Sequence, residues 1–281
     1  MSVSPYIYAG YYCNNNCVFC SEADEYLERL ENKSFAEIKK EILRVRKEFD
    51  FVNFMGREPT LRKDLFDILK FAEKCGFRQV GVTTNGRMLA YPDFAAELLA
   101  TGVKQIGISL SGASASTHDR QTRVPGSFEQ TVKGIYNVLK LKKKGVSLLV
   151  NLNVNRGNYR ELKKMIELPV RLGVKEIDVL YISPLSKRSR TRKVAMSLPE
   201  LGKYVFRTVR PYLKRPELNL LLVEFPPCAL PRAARDYFFP CLEKNSNKTR
   251  IPLCAECLYA ARCDGILRDY LKLYGTKGFS L

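Results

Sequence analysis

From residue 6 to residue 180 the chain repeats one unit: a short aliphatic run of β type, a loop, and an amphipathic stretch of helical period, commonly closed by glycine. The runs fall at 6–11, 51–55, 79–84, 105–110, 147–154 and 176–180, and the helical stretches at 35–48, 64–75, 92–100, 128–144 and 159–172. Ser34 is placed to cap the first helix, and Gly76, Gly102, Gly145 and Gly173 stand where helices must stop. Strand and helix in strict alternation predict a parallel sheet covered by helices. Such a repeat is too short to close an eight-fold barrel. The expected fold is therefore α/β, a partial (β/α)6 barrel of TIM type over 1–182. A basic linker and helix follow over 183–218, then a small cysteine-rich extension over 219–281.

Parallel α/β folds build their sites where strands end, and the distinctive polar residues of this chain cluster there. Directly after the first run, Cys13, Cys17 and Cys20 are spaced C-x3-C-x2-C. Three soft thiolates on one loop can hold three corners of a 4Fe-4S cluster and leave the fourth iron open to a ligand. The alternative is a structural zinc ion, which needs a fourth protein ligand. The next cysteine is Cys75, which reads as a core residue at a helix end, and the single histidine is His118. A second group lies beyond the repeat: Cys254, Cys257 and Cys263, spaced C-x2-C-x5-C, with Cys228 and Cys241 upstream. Nine cysteines, an odd number grouped in this way, point to metal ligation under reducing conditions and away from a disulfide framework. Zinc held by four of the five C-terminal thiolates is the alternative there.

The cysteine loop, with Phe19 one residue before its last cysteine, closely resembles that of the radical S-adenosylmethionine (SAM) enzymes. Met55-Gly-Arg-Glu-Pro-Thr-Leu61 is similar to the G-G-E-P motif of that family, with Arg57 in place of the second glycine. Thr83-Thr-Asn-Gly86 and Ser109-Leu-Ser-Gly112 match further strand-end features. The resemblance implies that the Cys13/Cys17/Cys20 cluster chelates SAM, that Gly56 and Glu58 meet its ammonium group, and that Pro59 fixes the turn. It places Phe19 at the adenine and Ser109 and Asn85 among the SAM contacts. Asn151 or Asn153 would bond the ribose hydroxyls, and Arg123 would pair with the carboxylate. His118 reads as structural, so proton transfer falls to other side chains or water.

The C-terminal group resembles the auxiliary-cluster extensions called SPASM and twitch domains. With five cysteines and Leu267 where a further one would fall, the resemblance implies a single auxiliary 4Fe-4S cluster held by Cys228, Cys254, Cys257 and Cys263, with Cys241 as the alternative fourth ligand. The implied activity is reductive cleavage of SAM to a 5′-deoxyadenosyl radical that takes a hydrogen atom from a substrate. Peptide or protein oxidation or crosslinking comes first. Modification of RNA, or conversion of a nucleotide in cofactor biosynthesis, is the runner-up. A non-catalytic iron-sulfur electron-transfer protein is the alternative of another class. An electron donor such as ferredoxin or flavodoxin is the implied partner.

The formal net charge of +18 gathers at 140–144, 187–193 and 203–215, as expected of a docking face for an acidic peptide, a nucleotide or RNA, or of a solvated surface. The start of the chain lacks a charged and then apolar signal pattern, and apolar runs such as 218–225 are too short to span a bilayer. A cytoplasmic location without a membrane partner is the expectation.

Overall fold

The computed structural model describes residues 4–20, 31–184, 189–239 and 247–281. Cys241, Lys187 and Arg188 lie outside the described residues. Seven strands form one parallel sheet in chain order: β1 (Tyr6–Gly10), β2 (Phe51–Gly56), β3 (Gln79–Thr84), β4 (Gln105–Leu110), β5 (Ser147–Val154), β6 (Glu176–Tyr181) and β7 (Asn219–Val223). The sheet curls without closing, since β1 and β7 are its two edges. The expected partial α/β barrel is present, and it carries one strand more than the repeat predicted. That strand, β7, pairs with β6 in register Glu176↔Asn219 to Leu180↔Val223, so the sheet draws on the stretch read as extension.

Strand alternation divides the side chains between two faces. Val52, Phe54, Val80, Val82, Ile106 and Ile108 are almost fully buried under the helices. Their alternates, Asn53, Met55, Thr83, Ser109, Asn151 and Asn153, point into the barrel. The helices are α1 (Phe35–Arg46), α2 (Leu65–Lys74), α3 (Pro92–Ala100), α4 (Ala115–Thr122), α5 (Ser127–Leu141), α6 (Leu162–Leu172), α7 (Ser189–Val194) and α8 (Leu198–Val209), of which α4 and α7 also bring residues to the cavity at the barrel mouth. Ser34 caps α1 in a capping box: its hydroxyl accepts from the Glu37 N–H, and its own N–H donates to the Glu37 carboxylate. The loops run from strand ends to helix starts, so every strand-end motif opens at the same face of the barrel.

The C-terminal stretch closes one side of that face. A two-stranded antiparallel sheet, β8 (Lys248–Thr249) with β9 (Ile266–Leu267), leads into α9 (Arg268–Tyr274). Tyr270, 1% exposed, accepts a hydrogen bond at its hydroxyl from the Leu198 N–H and packs edge-on against Tyr181 of β6. The extension is thus bonded into the barrel core. Among the described residues no helix is long and apolar enough to cross a membrane.

Candidate active site between two cysteine loops

The end of β2 sets the site. Gly10 and Gly56 pass so closely that a Cβ on Gly56 would lie 2.6 Å from the Gly10 carbonyl oxygen, and Gly56 has φ +130°, which glycine alone adopts easily. The Arg57 N–H then donates to that same oxygen at 3.0 Å, so the arginine of the departed motif continues the β1–β2 junction. The next residue, Glu58, is 1% exposed. Its Oε1 accepts from the Thr60 and Thr84 hydroxyls, both at 2.6 Å, and from the Thr60 N–H at 3.1 Å, while Oε2 accepts from the Asn85 N–H at 2.7 Å. Burial pushes the Glu58 carboxyl above its usual range, and the donors of Thr60, Thr84 and Asn85 pull it back. Glu58 and Pro59, both expected at SAM, are not among the residues that line the cavity, and Glu58 ties the β2 loop to the end of β3.

That tie carries through to the first cysteine loop. The Asn85 amide donates to Asn14 Oδ1 at 2.7 Å and points at Cys13 Sγ at 3.9 Å. Arg87, which the sequence did not single out, donates through Nη1 to the Asn14 carbonyl and, at 3.0 Å, to Asn15 Oδ1. From the other side, the Asn16 and Val18 N–H groups donate to the carbonyls of Thr122 and Gln121 at the end of α4. The Asn15 N–H points at Cys13 Sγ at 3.3 Å. Burial is the main cause that pushes the Cys13 thiol up to about 11, a group that ionises readily only beside positive charge. N–H groups aimed at sulfur and three half-buried thiols on one cavity wall fit an iron-sulfur cluster.

A cavity of about 1000 Å³ opens from this loop. Cys13, Cys17, Cys20 and Phe19 line one end; Gly56, Asn85, Ser109, Asn151 and Asn153 line its floor. Of the expected SAM contacts, Arg123 is not among them: it is exposed, in a left-handed conformation (φ 59°) just after α4. His118 does reach the cavity wall. It lies inside α4, its Nδ1 accepts from the Ser111 N–H at 3.2 Å, and burial drives its pKa down to about 4. The ring is therefore neutral at pH 7 with its proton on Nε2.

At its far end the same cavity reaches Cys263, Asp264, Lys248, Glu224 and Tyr270. Cys263 also borders a small pocket ringed by Cys228, Cys254 and Cys257. These are the four expected auxiliary ligands. They ring a space and do not meet at a point: among the described residues no three Cys, His, Asp or Glu side chains draw close enough for one metal ion. Cys228 is buried in the turn Pro227–Ala229 after β7, and burial, followed by the proximity of Cys263, Cys254 and Cys257, pushes its thiol up to about 12. The Gly265 N–H points at Cys263 Sγ at 3.4 Å. A Cβ on Gly265 would lie 2.3 Å from the Thr249 carbonyl oxygen, so only glycine lets the chain turn there. The four thiols and this donor fit a second cluster.

An α/β partial barrel with a three-cysteine loop at its open face is the architecture of enzymes that use SAM as a radical source. The chain belongs to the Radical SAM superfamily, whose profile matches residues 7–168. It is 34% identical over 198 residues to the "Probable GTP 3',8-cyclase" of Saccharolobus islandicus, covering 69% of this chain and 61% of that one. It is 32% identical over 189 residues to the "AdoMet-dependent heme synthase" of Methanosarcina barkeri, covering 65% and 51%. The chain thus matches less than two thirds of the length of these relatives. Its fold is similar to that of SuiB from Streptococcus suis bound to precursor peptide SuiA, with a TM-score of 0.62 at 20% identity over 77% of this chain and 48% of that one. The maturase HydG of the [FeFe]-hydrogenase superposes with a TM-score of 0.60 at 12% identity over 78% and 51%.

Proposed function

We propose that this radical SAM enzyme oxidises or crosslinks a peptide or protein side chain with the help of one auxiliary 4Fe-4S cluster. The observation that carries the reading is the single cavity whose wall includes Cys13, Cys17 and Cys20 at one end and Cys263 at the other. A substrate seated between them would meet both cluster positions at once. In this reading Cys13, Cys17 and Cys20 hold the SAM-binding cluster, and Cys228, Cys254, Cys257 and Cys263 hold the auxiliary one. Bound there, the two clusters and SAM supply the electron, the 5′-deoxyadenosyl radical that takes a substrate hydrogen atom, and an acceptor for the substrate's electron.

The chain's own residues position and shield. Phe19 offers a ring face to the adenine, Ser109, Asn151 and Asn153 offer hydrogen bonds to the ribose, and Asn85 with Arg87 fixes the loop that carries the first three thiolates. Ile182, Phe225 and Tyr270 close the apolar side and keep out water. An electron donor such as ferredoxin or flavodoxin completes the cycle, with the enzyme in the cytoplasm. The test is anaerobic reconstitution with SAM and reductant, followed by mass spectrometry of a peptide fraction from cells. The reading expects 5′-deoxyadenosine and a peptide lighter by two hydrogens. A changed nucleotide or tetrapyrrole with unchanged peptides would replace it by the second reading, favoured by the 34% identity to a protein named as a GTP cyclase.

A further inference from the structure

The outer surface is basic, whereas the cavity lining balances Arg57 and Lys248 against Glu224 and Asp264 and gathers both acids at one place. Exposed lysines and arginines at 140–144 and 203–215 belong to the outer surface and are absent from the described cavity lining. At the far end of the cavity three charged side chains meet from separate segments. Lys248 Nζ donates to Glu224 Oε1 at 3.1 Å and to Asp264 Oδ1 at 3.3 Å. The lysine and aspartate side chains are each 13% exposed and the glutamate 35%. Two carboxylates face one ammonium, so the group holds a negative excess, with the lysine and the aspartate largely buried. Such an excess is costly unless a cation completes it.

Each carboxylate uses one oxygen on Lys248. Among the described residues, Glu224 Oε2 and Asp264 Oδ2 have no hydrogen-bond donor. Lys248 holds the two acids side by side against their mutual repulsion, which keeps two acceptor oxygens available at the cavity wall. Val223, Phe225, Phe239 and Tyr270 continue the same wall and offer an apolar track to a methylene stem. The neighbouring ring of four thiolates, once it holds metal, adds further negative charge. A polyphosphate or a molecule rich in carboxylates would meet like charge at this end.

We infer that Glu224, Asp264 and Lys248 form the substrate-gripping end of the cavity, and that they take a cationic nitrogen, the amine or guanidinium of a peptide, and turn away polyphosphates. This rests on the peptide reading of the same cavity and names the substrate class within it. The basic outer surface then serves a role other than filling the active site.

The experiment uses the cluster-loaded protein and isothermal titration with nine-residue Ala/Gly peptides bearing one central Lys, Arg, Gln or Glu, and with GTP. The Lys and Arg peptides should bind, with the Gln and Glu peptides and GTP at least about tenfold weaker. Glu224→Gln and Asp264→Asn, each checked for iron content and melting temperature, should each weaken the Lys peptide about tenfold and lessen its salt dependence. GTP or the Glu peptide binding as tightly as the Lys peptide would overturn the inference, as would unchanged Lys-peptide affinity in both variants. Failure of the Lys and Arg peptides to bind, while a peptide is still oxidised, sinks the inference and leaves the peptide reading standing. GTP binding and being consumed sinks both.

Discussion

The two cysteine loops face one cavity but are held in different ways. The loop of Cys13, Cys17 and Cys20 is bonded from outside itself: by Asn85 and Arg87 beyond β3, and by the last carbonyls of α4. The loop of Cys254, Cys257 and Cys263 is held mainly by its own short turns. Cys257 donates back to Cys254, Ala260 to Cys257 and Arg262 to Tyr259, and Arg250 reaches across to the Ala260 carbonyl. Among the described residues, its tip meets the rest of the chain through the Tyr259 hydroxyl, which donates to Asp236 at 2.9 Å, and through Tyr259 and Arg262 against the Phe238 ring. Leu258 in its middle is 94% exposed. The first loop is a preformed seat built by the barrel, whereas the second is a segment that the proposed auxiliary cluster would complete.

The largest effect should come from metal removal. In the metal-free protein, trypsin should cut after Arg262 while the barrel stays intact, and reconstitution should abolish that cut. Equal protection of Arg262 with and without metal would erase the contrast between the loops. Glu58→Ala should act on the first loop alone, because it strands the buried donors of Thr60, Thr84 and Asn85. A loss of about 3 to 4 kcal/mol in denaturant unfolding is expected, without change in the auxiliary site. A variant as stable as the parent would mean that Glu58 does not anchor the seat.

His118 gives the same seat a pH dependence. Its folded pKa of about 4 lies below the ordinary 6.5, so the unfolded chain takes the proton first as acid is added. Stability should therefore fall as pH drops from about 6.5 to 4, by roughly 3 kcal/mol in all, and His118→Gln should flatten that slope. An unchanged slope in the variant would assign the acid lability elsewhere. Arg87→Gln should have the smallest effect on stability, about 2 kcal/mol. Its mark should be selective: iron at the first loop lost faster to a chelator, with the auxiliary iron unmoved. Equal loss from both sites would count against Arg87 as a positioning residue.

Much of the barrel was legible because its signals are local. The runs at 79–84, 105–110 and 147–154 are the strands β3, β4 and β5, since aliphatic runs bounded by Gly and Asn leave little freedom. β7 was hidden: its residues follow a basic stretch and adjoin Cys228, so their pattern read as part of the extension. The cavity floor was legible too, because a polar residue at the end of a parallel strand has few other places to point. Glu58 was not, since its environment depends on Thr84 and Asn85, which arrive from the next strand. The exposure of Arg123 was not legible either, because it follows from the carbonyls at the end of α4, which seat the cysteine loop and leave the arginine just beyond them. Glu224, Lys248 and Asp264 lie in three segments that only the fold brings together.

Iron and sulfide analysis decides whether the cavity serves two clusters of the same kind. Anaerobically prepared protein should hold about eight irons and eight sulfides per chain, and replacement of Cys13, Cys17 and Cys20 by alanine should leave about four of each. Four irons in the parent protein, or zinc in place of the second set, would contradict the two-cluster reading.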